Sequence, residues 1–408
     1  MISLPEGRWT AVARAAGLVR DDVVRPTVFA EVSALAARTG ALNLGQGFPD
    51  VDGPAHIAEA VVAAVRAGRN QYPPGDGIPE LRAAVATHAR RHYAMELDPE
   101  TEVLVTTGAT EAIAATVLAL AGPGDEVVVL DPMYDAYAAV VAMARATLVP
   151  VALVPRPEGF ALDHAALRAA VGPRTRLLLL NSPHKPTGTV LTRADLEVVA
   201  SCAREHDVVV VTDEVYEHLT YDDVVHVPIA TLPGMAERTL RISSAGKTFS
   251  FTGWKVGWVT GPAELLTAVR TIKQYLTYTS GAPFQPAIAL ALDDPDGRAT
   301  AWVSELARSL ATRRDLLLAG LERAGFAVVV PQGTYFVLAD GAPLGVEDGA
   351  ELCRRMPAEV GVAAVPASAF CAPGGPTSAA LRSWVRFTFV KREDVLVEAV
   401  SRLGRLRS

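Results

Sequence analysis

The sequence predicts an α/β protein, a three-layer sandwich with a mostly parallel central sheet, joined to a smaller α+β domain. Three observations predict it. Between about residues 100 and 260, seven short runs rich in Val, Leu and Ile alternate with longer stretches of helical period. These runs lack the polar alternation of a sheet with one wet face, so they suit strands covered by helices on both sides. The 408 residues also exceed what one compact core usually holds, which calls for a second unit.

In chain order the runs are 103–106, 126–130, 148–154, 177–180, 208–212, 240–243 and 256–260. Helices are expected between them at 110–121, 134–144, 163–171, 193–205 and 263–275. Thr192 with Asp195 three residues on resembles a capping box and marks the start of the fourth. From about Pro286 the pattern changes to long helices, chiefly 299–324, with strand-like runs at 327–330, 335–338 and 384–389. The Gly/Pro-rich stretches 341–349 and 372–378 are expected to be loops. The segment up to about residue 45 is too short for a core of its own and should pack against the carboxyl-terminal part. The expected division is a large domain at 46–285 and a discontinuous small one from 1–45 and 286–408.

Composition narrows the function classes. Half the residues are apolar and a fifth are charged, which excludes a disordered chain. With 38 Lys and Arg against 45 Asp and Glu, the net charge of −7 offers no basic surface for nucleic acid or an anionic membrane. The greasiest region, 136–155, is interrupted by Arg145, Thr147 and Pro150, so no membrane span is expected. The amino-terminal residues, with Glu6 and Arg8, lack the apolar stretch of a signal peptide. Cys202, Cys353 and Cys371 have no CxxC spacing, which points to a reducing cytoplasm.

Ligands of open α/β sheets sit beyond the carboxyl ends of the strands. After the run 240–243 comes Ser244-Ala245-Gly246-Lys247, a lysine bracketed by small residues. Partly desolvated, such a lysine is an amine nucleophile toward an aldehyde, although alone it reads more often as a surface turn. The run 208–212 leads into Asp213, with Tyr216 three residues on. Glu214, His218 and Asp222 are too scattered for a metal set, so no metal is expected. After 103–106 the chain passes through Gly108 and Ala109 into a helix at Thr110, where backbone N–H groups and a hydroxyl suit a phosphate. A lysine, a carboxylate and a phosphate cradle together suggest pyridoxal phosphate, whose aldehyde takes a lysine and whose ring nitrogen takes an acid.

Eight segments then carry a resemblance. They read LGQGFP at 44–49, NQYPPG at 70–75, GATEA at 108–112, DEVYE at 213–217, SAGKT at 244–248, TGWK at 252–255, PQGTYF at 331–336 and VRF at 385–387. In this order and spacing, from about residue 25 to residue 400, the chain resembles the fold-type-I pyridoxal-phosphate enzymes of the class I and II aminotransferases. It is nearest the kynurenine aminotransferase, glutamine transaminase K and methionine aminotransferase group. The resemblance implies that Lys247 forms the Schiff base and moves the Cα proton, that Asp213 keeps the ring nitrogen protonated and that Tyr216 meets the ring's phenolic oxygen. It implies a phosphate cup of Gly108, Ala109, Thr110, Ser244 and Lys255, and an aromatic ring stacked on the cofactor from Tyr134. Arg386 would clamp the substrate α-carboxylate beside Gly47. Tyr72 would reach the phosphate of a second subunit, making a homodimer with shared active sites. Phe29 and Tyr278 would face the substrate side chain, which favours an apolar or thioether substrate.

One position departs from the pattern. Where the family reads Asn-x-Pro-His-Asn-Pro-Thr-Gly, this chain reads Asn181-Ser182-Pro183-His184-Lys185-Pro186-Thr187-Gly188. Lys185 thus replaces an asparagine that would meet the phenolic oxygen and the carboxylate. Its ammonium brings a charge and an extra acid/base to the reaction centre, unless the long chain swings away. Besides amino transfer to a 2-oxo acid, this leaves open C–S β-elimination from an S-conjugated cysteine or a decarboxylating deamination.

Overall fold

Eight strands form the central sheet of the computed structural model, which describes residues 7–20, 22–156, 159–279 and 281–407; Glu6 lies outside them. Across the sheet the order is Val103–Thr106, Gly257–Thr260, Thr239–Ser244, Val209–Asp213, Thr175–Asn181, Glu126–Asp131, Thr147–Arg156 and Gly159–Leu162. The pairings from Thr239–Ser244 through Thr147–Arg156 are parallel. Gly257–Thr260 runs antiparallel to both neighbours, and Gly159–Leu162 folds back antiparallel on Thr147–Arg156. The sheet is therefore mostly parallel, as expected, with two reversed strands that apolar patterning does not distinguish.

Alternate residues of each central strand enter two different cores. Val127, Val129, Leu177, Leu179 and Val211 pack with Ile113 and Leu266 on one face. Val128, Leu130, Leu178, Leu180 and Val210 pack with Leu196 and Val199 on the other. Each such side chain contributes roughly 1.5–3 kcal/mol by leaving water, so both faces hold the sheet. A slip of one residue would exchange one apolar set for another, so patterning alone cannot set the register. Polar groups at the strand ends do: Asn181 stands opposite Asp213, and its Nδ2 donates to the Asp213 backbone oxygen at 2.7 Å.

A second sheet, antiparallel throughout, orders Ala327–Val328, Phe336–Asp340, Trp384–Thr388 and Val365–Pro366. The helices Arg298–Ala324 and Glu393–Leu403 pack together beside it. The amino-terminal segment joins this part of the molecule, since Leu42–Asn43 pairs in parallel with Val362–Ala363. Thr192 and Asp195 form the expected capping box, with Asp195 N donating to Thr192 Oγ1 at 3.2 Å and Thr192 N to Asp195 Oδ2 at 2.9 Å.

The two expected loops are partly helical. Asp348 caps the helix Gly349–Glu359 by accepting from Ala350 N at 2.8 Å, and Pro376 opens a short helix to Ala380. Proline at a first helical position forfeits no hydrogen bond, which is why a Pro-rich stretch can begin a helix. The helices Val28–Thr39, Ala55–Arg66, Pro79–Tyr93 and Phe284–Asp293 were not legible, because their alanine-rich faces give weak contrast between buried and exposed positions. No described helix is long and apolar enough to cross a membrane.

Candidate active site

The carboxyl ends of Val103–Thr106, Thr175–Asn181, Val209–Asp213 and Thr239–Ser244 open on a cavity of about 240 Å³. Gly108, Ala109, Thr110, Tyr134, Lys185, Asp213, Tyr216, Ser244, Lys247 and Lys255 all line it. Residues far apart in sequence and singled out for one chemistry therefore share one space.

Asp213 ends its strand inside the protein. The Tyr137 hydroxyl donates to Oδ2 at 2.7 Å and the Val215 N–H reaches Oδ1 at 3.4 Å. Burial raises its pKa, while those two donors and the charges of Lys185 and Lys247 oppose the rise. A protonated ring nitrogen is the kind of partner that would keep this carboxylate charged. Tyr137 was missed in the sequence, since an aromatic residue inside an apolar helix reads as core.

The Lys247 amine donates to Tyr335 Oη at 2.8 Å, and Tyr335 donates in turn to the Gly47 carbonyl at 2.7 Å. Gly47 thus reaches the lysine through a tyrosine that sequence reasoning left without a role. Its glycine identity is needed, because a Cβ there would lie 2.4 Å from Phe336. Tyr216 is fully buried with its ring centroid 5.6 Å from the Lys247 amine, and burial, then Tyr335, push its phenol well above the ordinary value.

The phosphate cradle is built from backbone. Gly108 has φ +72° and opens the 13-residue helix Gly108–Leu120, whose first N–H groups have no intrahelical acceptor. The Lys255 amine stands 3.6 Å from where a Gly108 Cβ would be, and a Cβ on Gly257 would lie 2.8 Å from the Gly108 carbonyl carbon. Ser244 caps the next turn by accepting from Gly246 N at 3.2 Å. Helix N-terminus, lysine and serine converge as a phosphate requires.

Arg386 lies in the middle of Trp384–Thr388, almost wholly buried, with its guanidinium between Phe336 at 4.1 Å and Phe370 at 4.4 Å. Nη2 donates to the Gly45 carbonyl at 2.5 Å, while Nε and Nη1 are buried without a partner. Burial lowers its pKa to about 10. Leaving two buried donors unmet costs about 1–3 kcal/mol each, a cost that an incoming carboxylate would remove.

Lys185 does not swing away. Its backbone N–H donates to Asn181 Oδ1 at 2.7 Å, and its Nζ stands 3.8 Å from the centroid of Tyr134 and 6.0 Å from that of Phe29. Burial lowers its pKa to about 7; the nearby Asp135 resists, while Arg386 and Lys247 add to the fall. Phe29 lines a second, larger cleft of about 840 Å³ that also includes Arg38, Arg354 and Cys371. The Cys371 thiol is pushed well above the ordinary range by burial, so it is not a reactive thiolate.

Five expected residues do not line this cavity: Gly47, Phe29, Arg386, Tyr72 and Tyr278. Tyr72 is 82% exposed and Tyr278 is 40% exposed, their rings edge to face at 5.8 Å. Neither lines the cavity that holds Lys247. On the donor set alone, the cavity fits pyridoxal phosphate: an amine, a buried acid, an aromatic face and an anion cradle.

The family model described as aminotransferase class I and II matches residues 39–403. The chain is 58% identical over 382 residues to a probable N-succinyldiaminopimelate aminotransferase of Mycobacterium tuberculosis, covering 93% of this chain and 95% of that one. It is 37% identical over 380 residues to the methionine aminotransferase of Escherichia coli, covering 93% and 96%. The solved structure of N-succinyldiaminopimelate aminotransferase from Mycobacterium tuberculosis superposes with a TM-score of 0.92 at 55% identity, covering 99% of this chain and 100% of that one.

Proposed function

The chain belongs to the class I and II aminotransferase family, and on that premise we propose that it transfers the amino group of a long-chain amino acid of the N-succinyldiaminopimelate kind. It is a pyridoxal-phosphate-dependent transferase acting between amino acids and 2-oxo acids. When bound, the cofactor supplies an aldehyde for the amino group and a ring that takes up the electron pair released at Cα. The start of the helix Gly108–Leu120, with Ser244 and Lys255, would hold its phosphate. Asp213, backed by Tyr137, would hold the proton on its ring nitrogen, and Tyr134 and Tyr216 would fix the ring. Lys247 is the base that takes the proton from Cα and returns it. Arg386 binds the α-carboxylate, and its two unpaired buried donors are the observation that carries this reading.

The substrate class rests on the large cleft beside Phe29 and on the 58% identical relative. Its walls are mostly apolar, which suits an alkyl chain; Arg38 and Arg354 line it together with Glu31 and Asp135, and the two arginines suit a distal acyl carboxylate. The relatives' names favour transfer over elimination, which leaves Lys185 as an additional acid/base. Its amine is charged below about pH 7 and neutral above it, and only the neutral form accepts a proton. With 2-oxoglutarate as acceptor, kcat/KM should be at least about tenfold higher for N-succinyl-LL-diaminopimelate than for methionine or kynurenine. Equal values would remove the long-substrate reading. The wild-type kcat/KM should rise through about pH 7, and the Lys185→Asn enzyme should lack that limb. A limb that persists in the variant would exclude Lys185 as its source.

We propose a homodimer in which Tyr72 reaches the partner's phosphate. Exposure of Tyr72, Tyr275, Leu276 and Tyr278 supports this, since so apolar a patch is costly on a free surface. Sedimentation equilibrium should give twice the mass of one chain, and a fully active monomer would refute it. The division into 46–285 and a small domain from both ends is supported by the pairing of Leu42–Asn43 with Val362–Ala363. A cytoplasmic location is supported by three unpaired cysteines, two of them buried.

A further inference from the structure

Three histidines with no part in this chemistry meet behind the turn that bears Asp213 and Tyr216. His88 and His92 are one helical turn apart on Pro79–Tyr93, so their imidazoles share a face, and His218 follows Tyr216 by two residues. His88 Nε2 and His218 Nε2 are 2.8 Å apart. The ring centroids are separated by 4.5 Å for His88 and His92, 4.8 Å for His92 and His218, and 4.9 Å for His88 and His218. One ring nitrogen from each lies within 4.8 Å of the others.

We propose that His88, His92 and His218 form a binding site for a divalent cation of the zinc class, with a fourth position open to solvent on the His92 side. Tetrahedral zinc, with bonds of about 2.0–2.1 Å, sets its ligating nitrogens roughly 3.3 Å apart. His88 and His218 are already near that spacing, and His92, which is exposed, needs only to turn inward. Imidazole is a ligand type that suits zinc. The neighbouring Glu217 carboxylate is taken up by Tyr93 at 2.6 Å and Arg241 at 3.1 Å, so the ligands come from the three imidazoles. A cation here would tie the helix Pro79–Tyr93 to the segment carrying Asp213 and Tyr216, and the site does not depend on which amino acid is transferred.

The test uses holoenzyme stripped with a chelator, dialysed and titrated with zinc chloride, with metal content read by elemental analysis. The wild type should bind one zinc per chain and gain a few degrees in unfolding midpoint, on the order of 2–5 °C. His92→Ala and His218→Ala should each weaken binding roughly tenfold or more and lose the thermal shift, while His206→Ala, at the end of another helix, keeps both. Because His92 is exposed, its variant should fold as the wild type does. No uptake by the wild type at about 100 µM zinc, or unchanged binding in His92→Ala and His218→Ala, would overturn the site.

Discussion

Lys247→Ala enzyme is expected to be colourless when reconstituted with pyridoxal phosphate and to lose at least about four powers of ten in turnover. General acid–base catalysis alone typically contributes 10²–10⁴-fold, and this residue is both covalent anchor and base. Two other amines line the cavity, so the expectation depends on position. Lys255 stands beside the Gly108 turn, and the Lys185 amine lies over the Tyr134 ring. Of the three, only the Lys247 amine is linked through Tyr335 to the Gly47 carbonyl, in the segment whose Gly45 carbonyl accepts from Arg386. Visible absorbance and single-turnover product formation check this, and a yellow, active variant would end the assignment of Lys247.

Arg386→Lys should lower kcat/KM by roughly 10²–10³. Two hydrogen bonds to a charged group, at about 1.5–3 kcal/mol each, are at stake, and an ammonium keeps the charge but not the fork. Most of the loss should appear in KM, because the carboxylate is bound in ground and transition states alike. The amino acid and the 2-oxo acid carry the same carboxylate, so both half-reactions should suffer equally. A loss confined to one of them would show that Arg386 recognises something other than the α-carboxylate.

The central strands were legible because burial on both faces leaves unbroken runs such as Leu177–Leu180, which few other elements imitate. Direction was not legible: Gly257–Thr260 reads like its parallel neighbours, and only the structure reveals its reversal. Of the site, Asp213, Lys247 and Gly108 could be found from their places at strand ends. Tyr137 and Tyr335 could not, because a buried tyrosine that supports another residue looks in sequence like ordinary core. Lys185 stood out only against the family pattern, and its position over Tyr134 needed coordinates. The histidine cluster left one local trace, His88 and His92 at helical spacing, with its third member 130 residues from His88.

The placement of register-setting contacts at the strand ends has a consequence for how such a chain tolerates change. Within a strand, Val, Leu and Ile can interchange at modest cost while volume is kept, usually under about 1.5 kcal/mol. At the ends, the Asn181 side chain aligns neighbouring strands through the backbone oxygen of Asp213, the residue whose carboxylate faces the reaction centre. Random mutation should therefore wander freely through the sheet's interior and stall at its rim. In a library selected only for correct folding and never for turnover, Asn181 should still be retained more often than the buried leucines 177–180 that precede it.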